Sequence, residues 1–188
     1  GDSDTATLTI TAEGSTDGVP TITSLDDQSV TEATGGTVTD TFKVEADAGI
    51  ASVTVNGTDI TGATEADPVE ITTDEGTLSV TGYDADTGTV TYSYVEDGET
   101  ENHSGGDITD SFTVVVTDIT GQSTSDSLDI AILDTAPTAN DDARNIGEDT
   151  TTALDGNVIN GDNDTADTLG ADATTVTGVD GNAVTADD

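Results

Sequence analysis

The sequence predicts an all-β chain of tandem antiparallel β-sandwich domains, and three observations carry that expectation. Polar and apolar residues alternate at period two over short runs, turn signals separate those runs, and a unit of 115 to 120 residues begins to repeat. Threonine and valine, β-branched residues that suit strands and disfavour helix, fill the runs. No stretch of eleven or more residues has a convincing 3.6-residue period.

In chain order, Ala6, Leu8, Ile10 and Ala12 interleave with Thr5, Thr7, Thr9 and Thr11. The same alternation predicts strands at Val38 to Val44, Ser52 to Val55, Leu78 to Val80, Val90 to Val95, Phe112 to Val116 and Leu128 to Ile132. Turn signals stand between them at Asn56-Gly57, Asp74-Glu75-Gly76, Asp86-Thr87-Gly88, Asp97-Gly98, Gly105-Gly106 and Asp155-Gly156. Gly82 to Val90 reads as a hairpin connection. About seven strands in little more than a hundred residues is the cadence of a β-sandwich, with a core of Val, Ile, Leu, Phe42, Phe112 and the three tyrosines. A sandwich that small and that poor in apolar residues is marginal alone, so a further source of stability is expected.

The repeat sets the boundaries. Gly1-Asp2-Ser3 followed by Leu8 and Ile10 matches Gly121-Gln122-Ser123 followed by Leu128 and Ile130. Pro20 corresponds to Pro137, Asp26-Asp27 to Asp141-Asp142, and Glu32 to Glu148. Residues 1–17 are therefore expected to be the last strand of one unit, 18–136 a complete sandwich, and 137–188 the start of the next.

Charge narrows the function. The 188 residues carry 40 Asp plus Glu against 2 Lys plus Arg, a formal net charge of -38. Lys43 and Arg144 cannot form the basic surface that nucleic-acid binding requires. The longest apolar run, Val114 to Val116, is far short of a membrane span. With no Cys, disulfides and thiolate metal sites are excluded. So many carboxylates repel one another, which leaves disorder, a high-salt environment or neutralisation by bound cations; the strand alternation argues against disorder.

The motifs Gly76-Thr77-Leu78-Ser79-Val80-Thr81-Gly82-Tyr83-Asp84 and Asp110 to Asp118, the linker-like Ala136-Pro137-Thr138-Ala139-Asn140-Asp141-Asp142, then Gly147-Glu148-Asp149-Thr150 and Asn157 to Asp162, cover most of the chain in order. Together they resemble the immunoglobulin-like, cadherin-like and VCBS-type extender repeats of giant RTX and biofilm-associated bacterial adhesins exported by type I secretion. The resemblance implies an extracellular, bacterial cell-surface location. Its partners would be neighbouring repeats of the same chain, and other domains would meet a glycan, host or biofilm surface.

Calcium (Ca2+) takes six to eight oxygen ligands, and acidic loops at domain edges supply them. Asn140, Asp141 and Asp142 follow the expected boundary, with Glu148 and Asp149 shortly after; Asp26, Asp27 and Glu32 occupy the matching places in the preceding unit. In cadherin-like arrays such residues join acidic groups of the neighbouring domain around calcium, which the resemblance implies here, with Asp118 and Asp134 as that neighbouring contribution. At the turn Asp118 to Ser123, the resembling families carry alternating carboxylates, and Thr120 and Gln122 stand in two of those places. Asp162, Asp164 and Asp167 have the spacing of a calcium loop, without the glycine and glutamate of a full EF-hand. The plain alternative for any one of these is a solvated turn residue.

Catalysis has little to build on. His103, the sole histidine, lies in the polar stretch Glu99 to Gly106 and is expected to be an exposed loop residue; no nucleophile elbow is present. Lys43 is expected to be an exposed strand lysine rather than an isopeptide donor. The expectation is a non-enzymatic extender segment, rigidified by calcium at loops and junctions. The alternative is a calcium-dependent carbohydrate- or peptide-binding module, against which stands the absence of Trp and scarcity of aromatic residues.

Overall fold

A computed structural model describes residues 1–8, 18–153, 156–161, 165–172, 175–179 and 182–183. Ten strands form two sheets: β1 (Thr21–Thr23), β2 (Gln28–Thr31), β3 (Thr37–Glu45), β4 (Ile50–Val55), β5 (Thr58–Asp59), β6 (Val69–Thr72), β7 (Gly76–Asp84), β8 (Thr89–Glu96), β9 (Ile108–Asp118) and β10 (Ser123–Leu133). One sheet has the order β1-β3-β8-β7-β6 and the other β2-β10-β9-β4-β5. Every pairing is antiparallel except β2 against β10, which is parallel. A two-stranded ribbon follows, β11 (Gly178–Val179) with β12 (Asn182–Ala183). There is no α-helix among the described residues, so the all-β expectation holds.

The six alternating runs expected beyond residue 37 lie within β3, β4, β7, β8, β9 and β10. The reason is visible in β9, where Phe112, Val114 and Val116 are buried while Thr113 and Ser111 face out. Asn56 and Gly57, both at positive φ (46° and 80°), make the tight hairpin between β4 and β5 that Asn-Gly signals. Residues 1–8 carry no strand, and the second half of the run expected there, Ile10 and Ala12, lies outside the described residues.

Both sheets contribute to one core. Phe42, Val44, Val80, Val90, Tyr92 and Tyr94 from the first meet Val30, Val53, Phe112, Val114, Leu128 and Ile130 from the second. Tyr94 stacks edge-on against Phe112 at 5.9 Å, a geometry that aromatic quadrupoles favour. Gly76 is required here, because a Cβ would stand 2.5 Å from both the Tyr94 hydroxyl and the Val95 carbonyl oxygen.

Strand direction gives the sandwich two ends. The start of β1, the end of β3 and the β9–β10 turn lie at one, where Thr21 pairs with Glu45 and Ser123 with Thr117. The ends of β2, β8 and β10 and the starts of β7 and β9 lie at the other, where Thr31 pairs with Leu133 and Gly76 with Glu96. The chain thus enters at one pole and leaves at the opposite one.

Candidate functional site

Four polar side chains are buried among the described residues, and all four are carboxylates at strand ends: Glu32, Glu96, Asp110 and Asp118. Each continues the inward-facing register of its strand. On β8 the buried line runs Val90, Tyr92, Tyr94, Glu96; on β9 it runs Asp110, Phe112, Val114, Val116, Asp118. Glu32 follows Val30 past the end of β2. Three of them close the core at the exit pole and Asp118 closes it at the entry pole, about 26 Å from Asp110 along β9 at ~3.3 Å per residue.

Glu32 is fully buried. Its Oε1 accepts the Thr135 N–H (2.9 Å) and hydroxyl (3.2 Å), and its Oε2 accepts the Glu101 N–H (2.8 Å). Burial alone pushes this carboxyl up, but the hydrogen bonds from Thr135 and Glu101, with the Asp134 carboxyl beside it, together hold it below the ordinary glutamate value. The contact fastens the segment leaving β10 and the loop after β8 to the end of β2.

Glu96 performs a similar task on the turn between β2 and β3. It accepts the successive N–H groups of Ala33 (3.1 Å), Thr34 (3.1 Å) and Gly35 (2.7 Å), and that of Gly98 (2.9 Å). Consecutive N–H groups make an anion-binding concavity, and here the anion is a side chain of the same domain. The turn holds Ala33 at φ +55°, a conformation costly for a residue with a Cβ. Burial works against the charge on Glu96, yet the four donors outweigh it and lower the carboxyl's proton affinity.

The rest of the exit pole is acidic. Strand connectivity places Asp74 and Glu75 in the β6–β7 turn, Asp97, Glu99, Glu101 and Asp107 in the β8–β9 loop, and Asp134 after β10. Asp110 Oδ2 accepts the Thr73 hydroxyl at 2.6 Å. Glu75 is held above its ordinary value by burial, then by repulsion from Asp110, with Glu101 and Asp74 adding to it. Burial pushes the Tyr94 phenol up, then Asp110, with Glu75 and Asp97 adding to it.

His103 departs from its expected exposure. It begins a 3-10 turn, His103–Gly105, capped by Asn102, whose side chain accepts the Ser104 N–H at 3.0 Å. That turn folds the imidazole inward, leaving its side chain 10% exposed with Nε2 3.9 Å from Glu32 Oε2. The polar neighbourhood that suggested a solvated loop solvates the backbone instead.

At the entry pole, Asp118 Oδ1 accepts the Thr120 N–H (2.8 Å), the Thr120 hydroxyl (2.8 Å) and the Gln122 N–H (2.9 Å). Burial opposes its charge, and the Thr120 hydroxyl leads the donors that lower its proton affinity. Oδ2 is buried with no hydrogen-bond partner. Thr120 thus engages one Asp118 oxygen through both its N–H and its hydroxyl, while the second Asp118 oxygen keeps its lone pairs unused.

The other expected ligands are distributed unevenly. Asn140 and Asp167 come together: Asp167 Oδ1 accepts the Asn140 N–H at 2.8 Å, and Asn140 Nδ2 donates to the Ala166 carbonyl at 2.8 Å. Asp141, Asp142, Glu148 and Asp149 are exposed. Asp26 and Asp27 are exposed in the crossing from β1 to β2, away from Glu32, where Gln28 ties the Asp26 carbonyl to Asp40. Asp162 and Asp164 lie outside the described residues. Among the described residues no three His, Asp or Glu side chains converge on one point, so a calcium ion at either pole would draw further oxygens from carbonyls, water or adjoining chain.

Glu96 and Asp110 were not singled out from the sequence, although parity would have found them, since each stands two residues beyond an aromatic core residue on the same face. No protein-family model matches the chain, and no curated protein matches it.

Proposed function

We propose that the chain is a structural extender segment of a bacterial cell-surface adhesin, built of immunoglobulin-like or cadherin-like sandwiches in tandem and rigidified by calcium. The observation that carries this reading is that the chain enters and leaves the sandwich at opposite poles while acidic residues gather at the exit. Domains threaded end to end extend a filament by their long axis, about 36 Å for eleven-residue strands at ~3.3 Å per residue. Strand order supports the immunoglobulin-like type: the first strand is split between the two sheets, and its second half runs parallel to the last strand.

Repulsion between acidic poles would keep neighbouring domains apart and let the joint flex. A cation held by Glu32, Asp134 and the following Asn140 to Asp142 segment would remove that repulsion and fix the joint. Ligands assemble only in the folded chain, so binding would add stability by mass action. At the entry pole, the unused oxygen of Asp118 suits the same chemistry.

Trypsin offers a local test, because its only two cleavage positions follow Lys43, within β3, and Arg144, just beyond the exit pole. Calcium should slow cleavage after Arg144 severalfold relative to EDTA at matched ionic strength. Equal rates would count against an ordered joint.

A further inference from the structure

We propose that the exit pole binds a divalent transition ion of the zinc type through His103 Nε2 and the Glu32 carboxylate, with Asp134 as a third ligand. The inference rests on the exit pole being a cation site, and it does not require calcium to be the ion that fills it.

His103 is the sole imidazole of the chain, and its Nε2 is buried without a hydrogen-bond partner. Facing it at 3.9 Å is Glu32 Oε2, beyond hydrogen-bond range but within reach of a shared ion. Zinc bonds of about 2.0–2.1 Å to nitrogen and about 2.0–2.2 Å to oxygen sum to more than that separation, so an ion fits between the two atoms as they stand. Regular tetrahedral geometry would bring them to roughly 3.4 Å, a closure of about half an ångström.

Both groups are already oriented. Asn102 caps the turn that carries His103, and the Gly106 N–H closes it on the His103 carbonyl at 3.0 Å. Glu32 Oε2 accepts one N–H, from Glu101, and keeps a lone pair for a metal, while Thr135 holds the other oxygen. Asp134 is exposed and its carboxyl lies beside that of Glu32, so it is the ligand that would have to swing in. A mixed imidazole and carboxylate set favours zinc, cobalt or nickel, whereas calcium gains nothing from the nitrogen.

With one histidine, the imidazole nitrogen NMR spectrum reports this site alone. Zinc titrated in millimolar calcium should shift the His103 Nε2 signal until one equivalent is bound. By calorimetry, His103→Asn should weaken that binding at least about tenfold, and its melting midpoint in calcium should stay that of the parent. An Nε2 signal unmoved by saturating zinc, or an undiminished zinc affinity in His103→Asn, overturns the proposal. A zinc response at His103 in a chain whose stability ignores calcium would uphold this site and sink the calcium reading alone.

Discussion

The two poles of the sandwich bury carboxylates for different purposes. At the exit pole, Glu32 and Glu96 have backbone N–H groups on both of their oxygens, seven donor contacts between them counting the Thr135 hydroxyl, and all of those donors but the Gly98 N–H come from chain distant in sequence. At the entry pole, Asp118 saturates one oxygen within its own turn and leaves the other unused. Glu96, each of whose oxygens accepts two N–H groups, is a fastener; Glu32, whose Oε2 accepts one, and Asp118, whose Oδ2 accepts none, keep lone pairs and are fasteners and ligands at once. Burial and a lowered proton affinity are common to both, so only the hydrogen-bond accounting tells them apart.

Removing a fastener should have the largest effect. Glu96→Ala leaves the Thr34, Gly35 and Gly98 N–H groups unpaired and that of Ala33 on the Glu99 carbonyl alone, and should cost about 4 kcal/mol, a large part of a small domain's stability. Urea unfolding measures it; a loss below about 1 kcal/mol would erase the distinction between the poles. Glu32→Gln retains one acceptor oxygen and should cost about 2 kcal/mol by the same measurement.

Acid should weaken the exit pole next. The folded values of Glu32 and Glu96 lie below the ordinary 4.5, and that of Asp118 below 3.8, so the unfolded chain takes up protons first as pH falls. Their contribution is complete above about pH 5 and is lost as pH falls through the folded values. Glu75 has the opposite sign: its raised value makes it costlier to the fold as pH rises, so Glu75→Gln should increase stability at pH 7. Melting curves between pH 3 and 7 should fall towards acid, and less steeply for Glu96→Gln. The smallest effect expected in EDTA is that of Asp118→Asn, which keeps the Oδ1 acceptor. The same variant should lose part of the calcium-dependent rise in melting midpoint, and a full rise would remove Asp118 from the ligand set.

Much of the fold was legible because the inward register of β3, β8, β9 and β10 is long enough for alternation to show. The strands β1 and β2, of three and four residues, carry too few periods to be read, and Gln28 and Ser29 give no apolar signal. The repeat draws attention to Glu32, but its burial and its hydrogen-bond partners were not legible, because Glu101 and Thr135 are 69 and 103 residues away in sequence. Glu96 was overlooked for the same physical reason: its role is set by a turn 61 to 63 residues earlier. His103 was misjudged because a capped 3-10 turn can direct one side chain inward from an otherwise polar loop.

Thermal melting in EDTA and in millimolar calcium, magnesium and sodium at constant ionic strength tests the central claim most directly. Calcium at about a hundred times its dissociation constant adds about 2.7 kcal/mol per site, a rise on the order of 10 °C for a domain this size. The account predicts that rise for calcium and a distinctly smaller one for magnesium and sodium. A midpoint that calcium raises no further than the matched salts would contradict it.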